Sequence, residues 1–229
     1  MSLDNTRCTR YRRAAAILNY IAQDRPDLQF AAKECSRKMS CPNELDERNL
    51  KRVLRYLRLC PRLPYRYEWQ RMPSRCVTHS DSDWAGCTRT RRSTSGGVCS
   101  LGLHTIKTWS RTQATVSLSS AEAELGSLVK ASTETLGLIA LAADADVLIG
   151  GAVHTDSSAA RAIALRKGCG KVKHTRTQQL WIQEAAASGT LSFMKVPRAD
   201  NAADMMTHHW DASEGRRFML RLSIGPATQ

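Results

Sequence analysis

Apolar residues recur at helical spacing through the first third of the chain. Three- and four-residue steps run through 14–21 and again through 50–57, and a shorter segment of the same kind opens at Pro26. Pro42 interrupts the second segment, and the pair Pro61 and Pro64 ends the third. The pattern predicts a small helical segment, residues 1–64.

Shorter apolar runs follow from residue 65, and they indicate strands mixed with helices. The predicted strands are 65–69, 75–81, 97–101, 105–109, 152–156 and 191–196, with a hairpin turn at 102–104. The predicted helices are a long one from 119 through 139, one from 157 onward, one over 178–187, and a last one starting in 201–207. Strands alternating with helices predict an α/β domain, residues 65–210, and we assign 211–229 to a C-terminal tail.

The stretch H-S-D-S-D-W-A-G (79–86) comes directly after one of these strands. Side chains alternate faces along a strand, so we expect Asp81 and Asp83 to share one face. Two carboxylates at a strand end repel each other unless a proton or a cation lies between them, and Mg²⁺ prefers such oxygens. The alternative is an acidic turn, because Asp and Gly are common in loops.

Further carboxylates stand at the edges of later elements. Glu124 falls in the first turns of a predicted helix, Asp156 directly follows a strand, and Asp204 lies in the last helical segment. Sites in α/β sheets gather at strand ends, so Asp81 and these three acids could together hold two Mg²⁺ ions. Any single one of them could instead be a helix cap or a surface charge.

Charge adds a candidate partner. The net charge is +13 with a pI near 9.8, and this positive charge indicates a polyanionic binding partner, first of all nucleic acid. We find no apolar run long enough for a membrane span, expect no membrane partner, and see no signal peptide. The eight cysteines form no C-x-x-C pair, so reduced thiols are favoured over a zinc site.

Several motifs taken together resemble one family, the ribonuclease H domain of copia-type LTR retrotransposon polyproteins. The matching stretches are H-S-D-S-D-W-A-G (79–86), R-R-S-T-S-G (91–96), W-S (109–110), T-V-S-L-S-S-A-E-A-E (115–124), H-T-D-S-S-A-A (154–160), K-H-T-R (173–176) and A-D-N-A-A-D-M-M-T (199–207). Residues 11–64 also resemble the thumb or connection at the end of the reverse transcriptase of such polyproteins. The sequence departs from the family at Ser82, Ser157 and His208, but no departure removes a carboxylate.

This resemblance implies a ribonuclease H-like fold with a central mixed five-stranded sheet and flanking helices. It also implies Mg²⁺-dependent cleavage of the RNA strand of RNA–DNA hybrids, with two Mg²⁺ ions for which Mn²⁺ can substitute. The metal ligands and catalytic groups would be Asp81, Glu124, Asp156 and Asp204. The setting would be intracellular, cytoplasmic in a virus-like particle or nuclear.

The polymerase signature Y-x-D-D is absent, so we expect a fragment or truncated copy that lacks DNA synthesis and whose partner is the missing polymerase part. The rival hypothesis is a catalytically decayed nucleic-acid-binding module. An integrase-type nuclease is a third possibility, and the order of the four acids argues against it.

Two sets of basic residues are candidate phosphate contacts. They are Lys51, Arg52 and Arg55 on a helix, and Arg89, Arg91 and Arg92 in a polar turn. A solvated charged surface is an equally good interpretation of both. We expect Trp84 and Trp109 to pack in the core rather than stack on nucleic acid.

The neighbouring acids Glu122 and Glu124 have different expected roles. Ser119 to Glu122 fits a capping box, with Ser119 as N-cap and Glu122 reaching back to the Ser119 backbone N–H. That role leaves Glu124 free to face a metal, and the family resemblance agrees.

Overall fold

The computed structural model describes residues 2–168 and 177–225. The chain begins with three helices: α1 is Asn5–Ile21, α2 is Pro26–Ser36 and α3 is Glu44–Leu59. Each start is encoded locally, since Asp4 caps α1, a proline opens α2 and Asn43 forms a capping box with Asp46. Their apolar stripes meet in a core of their own, which includes Tyr11, Ala15, Leu18, Leu28 and Leu50.

A mixed five-stranded sheet follows. Its strands are β1 Arg75–Ser82, β2 Thr94–Leu101, β3 His104–Thr112, β4 Gly150–Thr155 and β5 Leu191–Lys195. The spatial order is β3-β2-β1-β4-β5. The first three strands pair antiparallel, whereas β4 lies parallel to both β1 and β5. The carboxyl ends of the parallel strands β1 and β4 therefore meet at the same edge of the sheet.

Helices cover both faces of the sheet. One face packs against α4 Ser120–Asp144, α5 Ser158–Leu165 and α6 Thr177–Ala187 around Cys99, Val153 and Phe193. The other face carries Val98, which packs against α7 Ala212–Arg221 and against Met205 and Met206. The alternation of Val98 and Cys99 between two cores is the side-chain alternation of a strand buried on both faces.

The helical segment docks on the sheet through α2. The amide of Gln29 donates to the Thr108 carbonyl at 3.2 Å, and the Lys33 ammonium donates to Thr94 Oγ1 at 2.7 Å. Lys33 is buried, and this desolvation lowers its pKa, while Glu34 at 2.8 Å opposes the shift. The buried ammonium of Lys33 therefore holds α2 against the sheet at the start of β2.

The predicted fold class is confirmed, as are the three N-terminal helices and the β2–β3 hairpin. Two element predictions were wrong. Residues 65–69 form no strand, since only Tyr65 makes a bridge, with Ile224. The segment with Asp204 is a single 3-10 turn, Asp204–Met206, and the helix α7 begins later, inside the stretch assigned to a tail. The division into domains stays a prediction, and the K-H-T-R motif (173–176) lies outside the described residues.

One expectation about apolar segments needs correction. Within 2–168 and 177–225, helix α4 is long and apolar enough to cross a membrane by length and composition. It packs its Leu125, Leu128 and Ala131 into the core beside the sheet. The central helix of a sheet-packed core meets the same criterion, so the result is weak evidence for a membrane span.

Candidate metal centre

Three of the four predicted carboxylates converge at the edge where β1 and β4 end. Asp81 is the next-to-last residue of β1, Asp156 directly follows β4, and Glu124 lies in the first turns of α4. One ligand oxygen from each lies within 4.8 Å of the other two. The parallel pairing of β1 with β4, and the packing of α4 on β1, bring together residues that are 43 and 75 positions apart.

Hydroxyl groups hold Asp81 in place. The Thr207 hydroxyl donates to Asp81 Oδ2, and the Ser127 hydroxyl donates to the Asp81 backbone carbonyl at 2.6 Å. The buried side-chain amide of Asn201 donates a hydrogen bond to the carbonyl of the neighbouring Ser80 at 3.0 Å. Thr207 therefore holds the carboxylate of Asp81, and Ser127 holds the backbone that carries it.

The electrostatics of the three acids are those of a crowded anionic site. Burial raises the pKa of Asp81 to about 6, and the charges of Asp156 and Asp204 add to the shift. Burial likewise raises the pKa of Glu124 to about 9, with Asp81 and Asp156 adding repulsion. The pKa of Asp156 is raised for the same reasons. Each of these carboxylates is costly to ionise without a cation nearby.

Glu124 gives a direct indication that a cation fits. Its Oε2 atom is buried and has no hydrogen-bond partner in the described part of the chain. Buried carboxylate oxygens are normally paired. One oxygen from each of the three acids could contact the same ion, and carboxylate oxygens are the ligands that a hard divalent cation prefers. The residues present therefore suit Mg²⁺ or Mn²⁺, with Asp81, Glu124 and Asp156 as the ligands.

The fourth predicted acid, Asp204, lies beside this group and not within it. Its oxygens are 3.6 Å from Arg198 Nε and 3.8 Å from His208 Nε2. Its charge still contributes to the raised pKa of Asp81 and of Asp156. Asp204 thus belongs to the electrostatic surroundings of the site, and its role as a metal ligand stays a prediction.

Asp83 has a different role from Asp81. Its Oδ1 atom accepts a hydrogen bond from the Thr94 backbone N–H at 2.5 Å, which joins the end of β1 to the start of β2. Gly86 leaves room for this carboxylate, because a Cβ at residue 86 would lie 2.1 Å from Asp83 Oδ2 and would force the Asp83 side chain to shift. The acidic-turn interpretation fits Asp83, while Asp81 lies in the cluster.

The Ser119 cap of α4 is confirmed, since its hydroxyl accepts from the Glu122 backbone N–H at 3.2 Å. The carboxylate of Glu122 reaches one residue further back than predicted and accepts from the Leu118 N–H at 2.7 Å. Glu122 therefore fixes the entry into α4, while Glu124 turns toward the acidic cluster.

Sequence reasoning missed Gln113, which follows β3 and joins three elements. Its Nε2 atom lies 2.9 Å from Ser95 Oγ, 3.3 Å from Ser82 Oγ and 2.8 Å from the Ala123 carbonyl. It links the residue after Asp81 to the residue before Glu124, and so sets the separation of two cluster acids. A lone glutamine after a strand carries no local signal, and only the fold reveals this position.

We predict that Gln113→Leu weakens divalent-cation binding by about 10- to 100-fold, the usual effect of losing a group that orients metal ligands. Direct titration with Mn²⁺, followed by electron paramagnetic resonance, measures this affinity. Gln70→Leu is the matched control, because Gln70 bonds the Leu101 carbonyl and the Leu103 N–H in the β2–β3 hairpin. Equal Mn²⁺ affinity in Gln113→Leu and the parent chain would contradict the positioning role.

The predicted phosphate contacts form two exposed sets. Lys51, Arg52 and Arg55 lie on α3, where Lys51 pairs with Glu47 at 3.3 Å. Arg89, Arg91 and Arg92 occupy the turn between β1 and β2. Their role in nucleic-acid binding stays a prediction.

The two tryptophans differ. Trp109 is core, at 4% exposure, as expected. The expectation for Trp84 was wrong, since it is 56% exposed and its Nε1 donates to the Ser117 carbonyl at 3.2 Å. Trp84 lies in the loop that follows β1, where the helices on the two faces of the sheet do not cover it.

The chain is similar to several known proteins. The Pol polyprotein of transposon RE2 from Arabidopsis thaliana, described as retrovirus-related, is 31% identical over 219 residues, covering 94% of this chain and 15% of the relative. Secreted RxLR effector protein 161 of Plasmopara viticola is 39% identical over 124 residues, covering 54% of this chain and 86% of its own length. The solved structure of LC11-RNase H1, isolated from compost, covers 58% of this chain and 93% of its own at 17% identity, with a TM-score of 0.47. No family model matches the sequence.

The sheet order, the parallel β1–β4 pair and the helix packing are those of a ribonuclease H-like α/β fold. Over 94% of its length the chain is similar to the retrovirus-related Pol polyproteins of the Arabidopsis thaliana transposons RE2 and RE1, and its helical segment precedes the sheet. It spans about 15% of the length of the plant polyproteins that it matches.

Proposed function

We propose that this chain is a Mg²⁺-dependent endoribonuclease that cleaves the RNA strand of RNA–DNA hybrids. The observation that carries the proposal is the convergence of Asp81, Glu124 and Asp156 within 4.8 Å, together with the buried and unpartnered Glu124 Oε2. An acidic cluster of this kind, at the strand ends of a ribonuclease H-like sheet, is suited to metal-dependent phosphodiester hydrolysis.

Asp81, Glu124 and Asp156 would hold the cations, and Asp204 would add negative charge beside them. Bound divalent cations supply an activated water and stabilise the leaving oxygen in phosphodiester cleavage. The chain's own contribution is to fix the ligands. Thr207 and Ser127 hold Asp81, and the capped first turn of α4 directs Glu124 inward.

The substrate class rests on charge and on family. The net charge of +13 favours a polyanion, and the relatives are named as Pol polyproteins, which supports an RNA–DNA hybrid as substrate. Selection of the RNA strand would depend on contacts to its 2′-hydroxyl groups, which DNA lacks. The polymerase part of such a polyprotein is the expected partner, and an intracellular setting follows from the same proposal.

The test is cleavage of an end-labelled RNA–DNA hybrid with Mg²⁺, compared with the same assay in EDTA and with a DNA duplex of the same sequence. Asp81→Asn should reduce the rate by orders of magnitude, while Asp146→Asn, an exposed acid beyond the end of α4, should keep the parental rate. Hybrid binding without any cleavage by the parent chain would instead support the decayed binding module.

A further inference from the structure

A groove lies between the helical segment and the sheet, and its lining includes none of the three clustered acids. The groove has a volume of about 1120 Å³ and follows the whole outer edge of β3, from Thr105 to Thr112, with the end of α1 and the length of α2 as its opposite wall. Since a strand rises about 3.4 Å per residue, the groove is roughly 25 Å long.

The edge of β3 presents unpaired backbone groups to this groove. Trp109 and Arg111 face β2, because alternate residues of an antiparallel strand bond the same neighbour and Gln113 N–H donates to the Ser93 carbonyl at 2.7 Å. The groups of Thr108, Ser110 and Thr112 therefore point outward. Only the Thr108 carbonyl has a partner here within the described ranges, the Gln29 amide at 3.2 Å.

Three buried side-chain oxygen atoms without a hydrogen-bond partner in the described part of the chain lie along the same groove. Gln29 is 9% exposed and its Oε1 atom accepts no hydrogen bond from the described chain. Ser36 Oγ and Thr112 Oγ1 are also buried and have no hydrogen-bond partner in the described chain. Buried polar atoms are normally satisfied, so three unsatisfied ones along one groove indicate a ligand that carries donors.

The charge and the aromatic content of the lining select the class of ligand. Lys33, Arg37, Lys107 and Arg111 line the groove against one acid, Asp24. The first three have carboxylate partners, at 2.8, 2.7 and 2.5 Å, whereas Arg111 is exposed and has none in the described part of the chain.

Aromatic rings complete the lining at the opposite end of the groove. Tyr65 and Tyr67 stack there, with ring centroids 6.2 Å apart and an angle of 11° between the rings. Tyr67 is 63% exposed, so a face or edge of its ring is open to a ligand. A free cation at one end and stacked rings at the other are the two components of a single-strand binding groove.

We propose that this groove binds single-stranded nucleic acid, with Arg111 on a phosphate and Tyr67 against a base. Ribose hydroxyls and base amino groups supply the donors that Gln29 Oε1, Ser36 and Thr112 lack. The Arg111 end lies beside the acidic cluster, because Ser110 pairs with Gly96 and Gly96 pairs with Asp81, two strand spacings or about 10 Å. A single nucleic-acid strand that extends from the acidic cluster past Arg111 would therefore enter the groove. Binding in the groove does not require cleavage.

The experiment measures binding in EDTA, so that it stands whether or not the chain cleaves hybrids. The probes are a fluorescein-labelled single-stranded RNA 12-mer and a blunt RNA–DNA hybrid of the same sequence. The groove variants are Arg111→Glu and Tyr67→Ala. The matched controls are Arg13→Glu, an exposed arginine of α1 outside the groove, and Tyr20→Ala, a 76% exposed tyrosine also outside it.

Arg111→Glu should weaken single-strand binding at least tenfold more than Arg13→Glu, and Tyr67→Ala should weaken it about tenfold, the usual scale for loss of a stacking ring. Both groove variants should affect the blunt hybrid no more than their controls do. A neutral Arg111→Gln should also lower the salt slope of single-strand binding by about 0.7, the value for one phosphate contact.

Two results would overturn the proposal. Equal losses in Arg111→Glu and Arg13→Glu would mean that Arg111 contributes only to the general positive charge. If the groove variants bind single strands as the parent chain does but no longer bind a labelled oligoglutamate 12-mer, the groove binds an acidic peptide instead. Thermal melts of all variants verify that each one folds like the parent chain.

Discussion

Glu124→Gln should lower the rate of hybrid cleavage by orders of magnitude, whereas Glu122→Gln, two residues earlier on the same helix, should retain most of it. Glu124 lies in the acidic cluster with an unpartnered buried oxygen, and an amide there cannot replace the charge that holds a cation. Glu122 accepts from the Leu118 N–H at 2.7 Å, a bond that a glutamine carbonyl can also accept.

The same pair separates chemistry from stability. Glu122→Ala should cost about 1 kcal/mol of stability, the usual size of a lost cap, with little effect on the cleavage rate. Glu124→Gln should melt no lower than the parent chain in EDTA. The measurements are initial cleavage rates on a labelled hybrid and a thermal melt of each variant. An active Glu124→Gln together with an inactive Glu122→Gln would exchange the two assignments.

Local chemistry explains what could be predicted from the sequence. The start of α4 was predictable because Ser119 caps it through neighbours three residues away. The positions of Asp81 and Asp156 at strand ends followed from short apolar runs that end in a carboxylate. These signals lie within a few residues, and the family resemblance joined them into one site.

The failures share a long-range cause. Residues 65–69 alternate like a strand, but in the described part of the chain they form a single isolated β-bridge, from Tyr65 to Ile224, which lies far along the chain. Gln113 acts through three elements that the sequence does not place together. The docking of Lys33 on Thr94 joins positions 61 residues apart and has no local pattern. Pairing and polar networks of this range are determined by the fold, so they cannot be predicted from neighbouring residues.

Without divalent cations, the chain should lose stability as the pH rises from 5 to 9. The folded-state pKa values of Asp81 and Glu124 are raised to about 6 and about 9, above ordinary values of 3.8 and 4.5. The native state therefore holds protons that the unfolded state releases. This contribution is fully present below the unfolded pKa values and is lost as the pH passes through the folded ones.

The loss should be on the order of 2 kcal/mol. This is well below the full linkage value, which is about 1.4 kcal/mol for each unit by which a folded-state pKa is raised, because water and side-chain rotation relieve part of the desolvation and of the repulsion that raise the two pKa values. Urea unfolding at several pH values in EDTA measures the loss. Glu124→Gln is the control, since it removes the largest raised pKa and should flatten the curve. Addition of Mg²⁺ should restore the stability of the parent chain at pH 8 to 9 and leave Glu124→Gln nearly unchanged, because only the parent keeps all three ligands. Parallel curves for both chains in EDTA would show that the pKa of Glu124 is not raised in the folded state, and would remove the electrostatic argument for a cation between the three carboxylates.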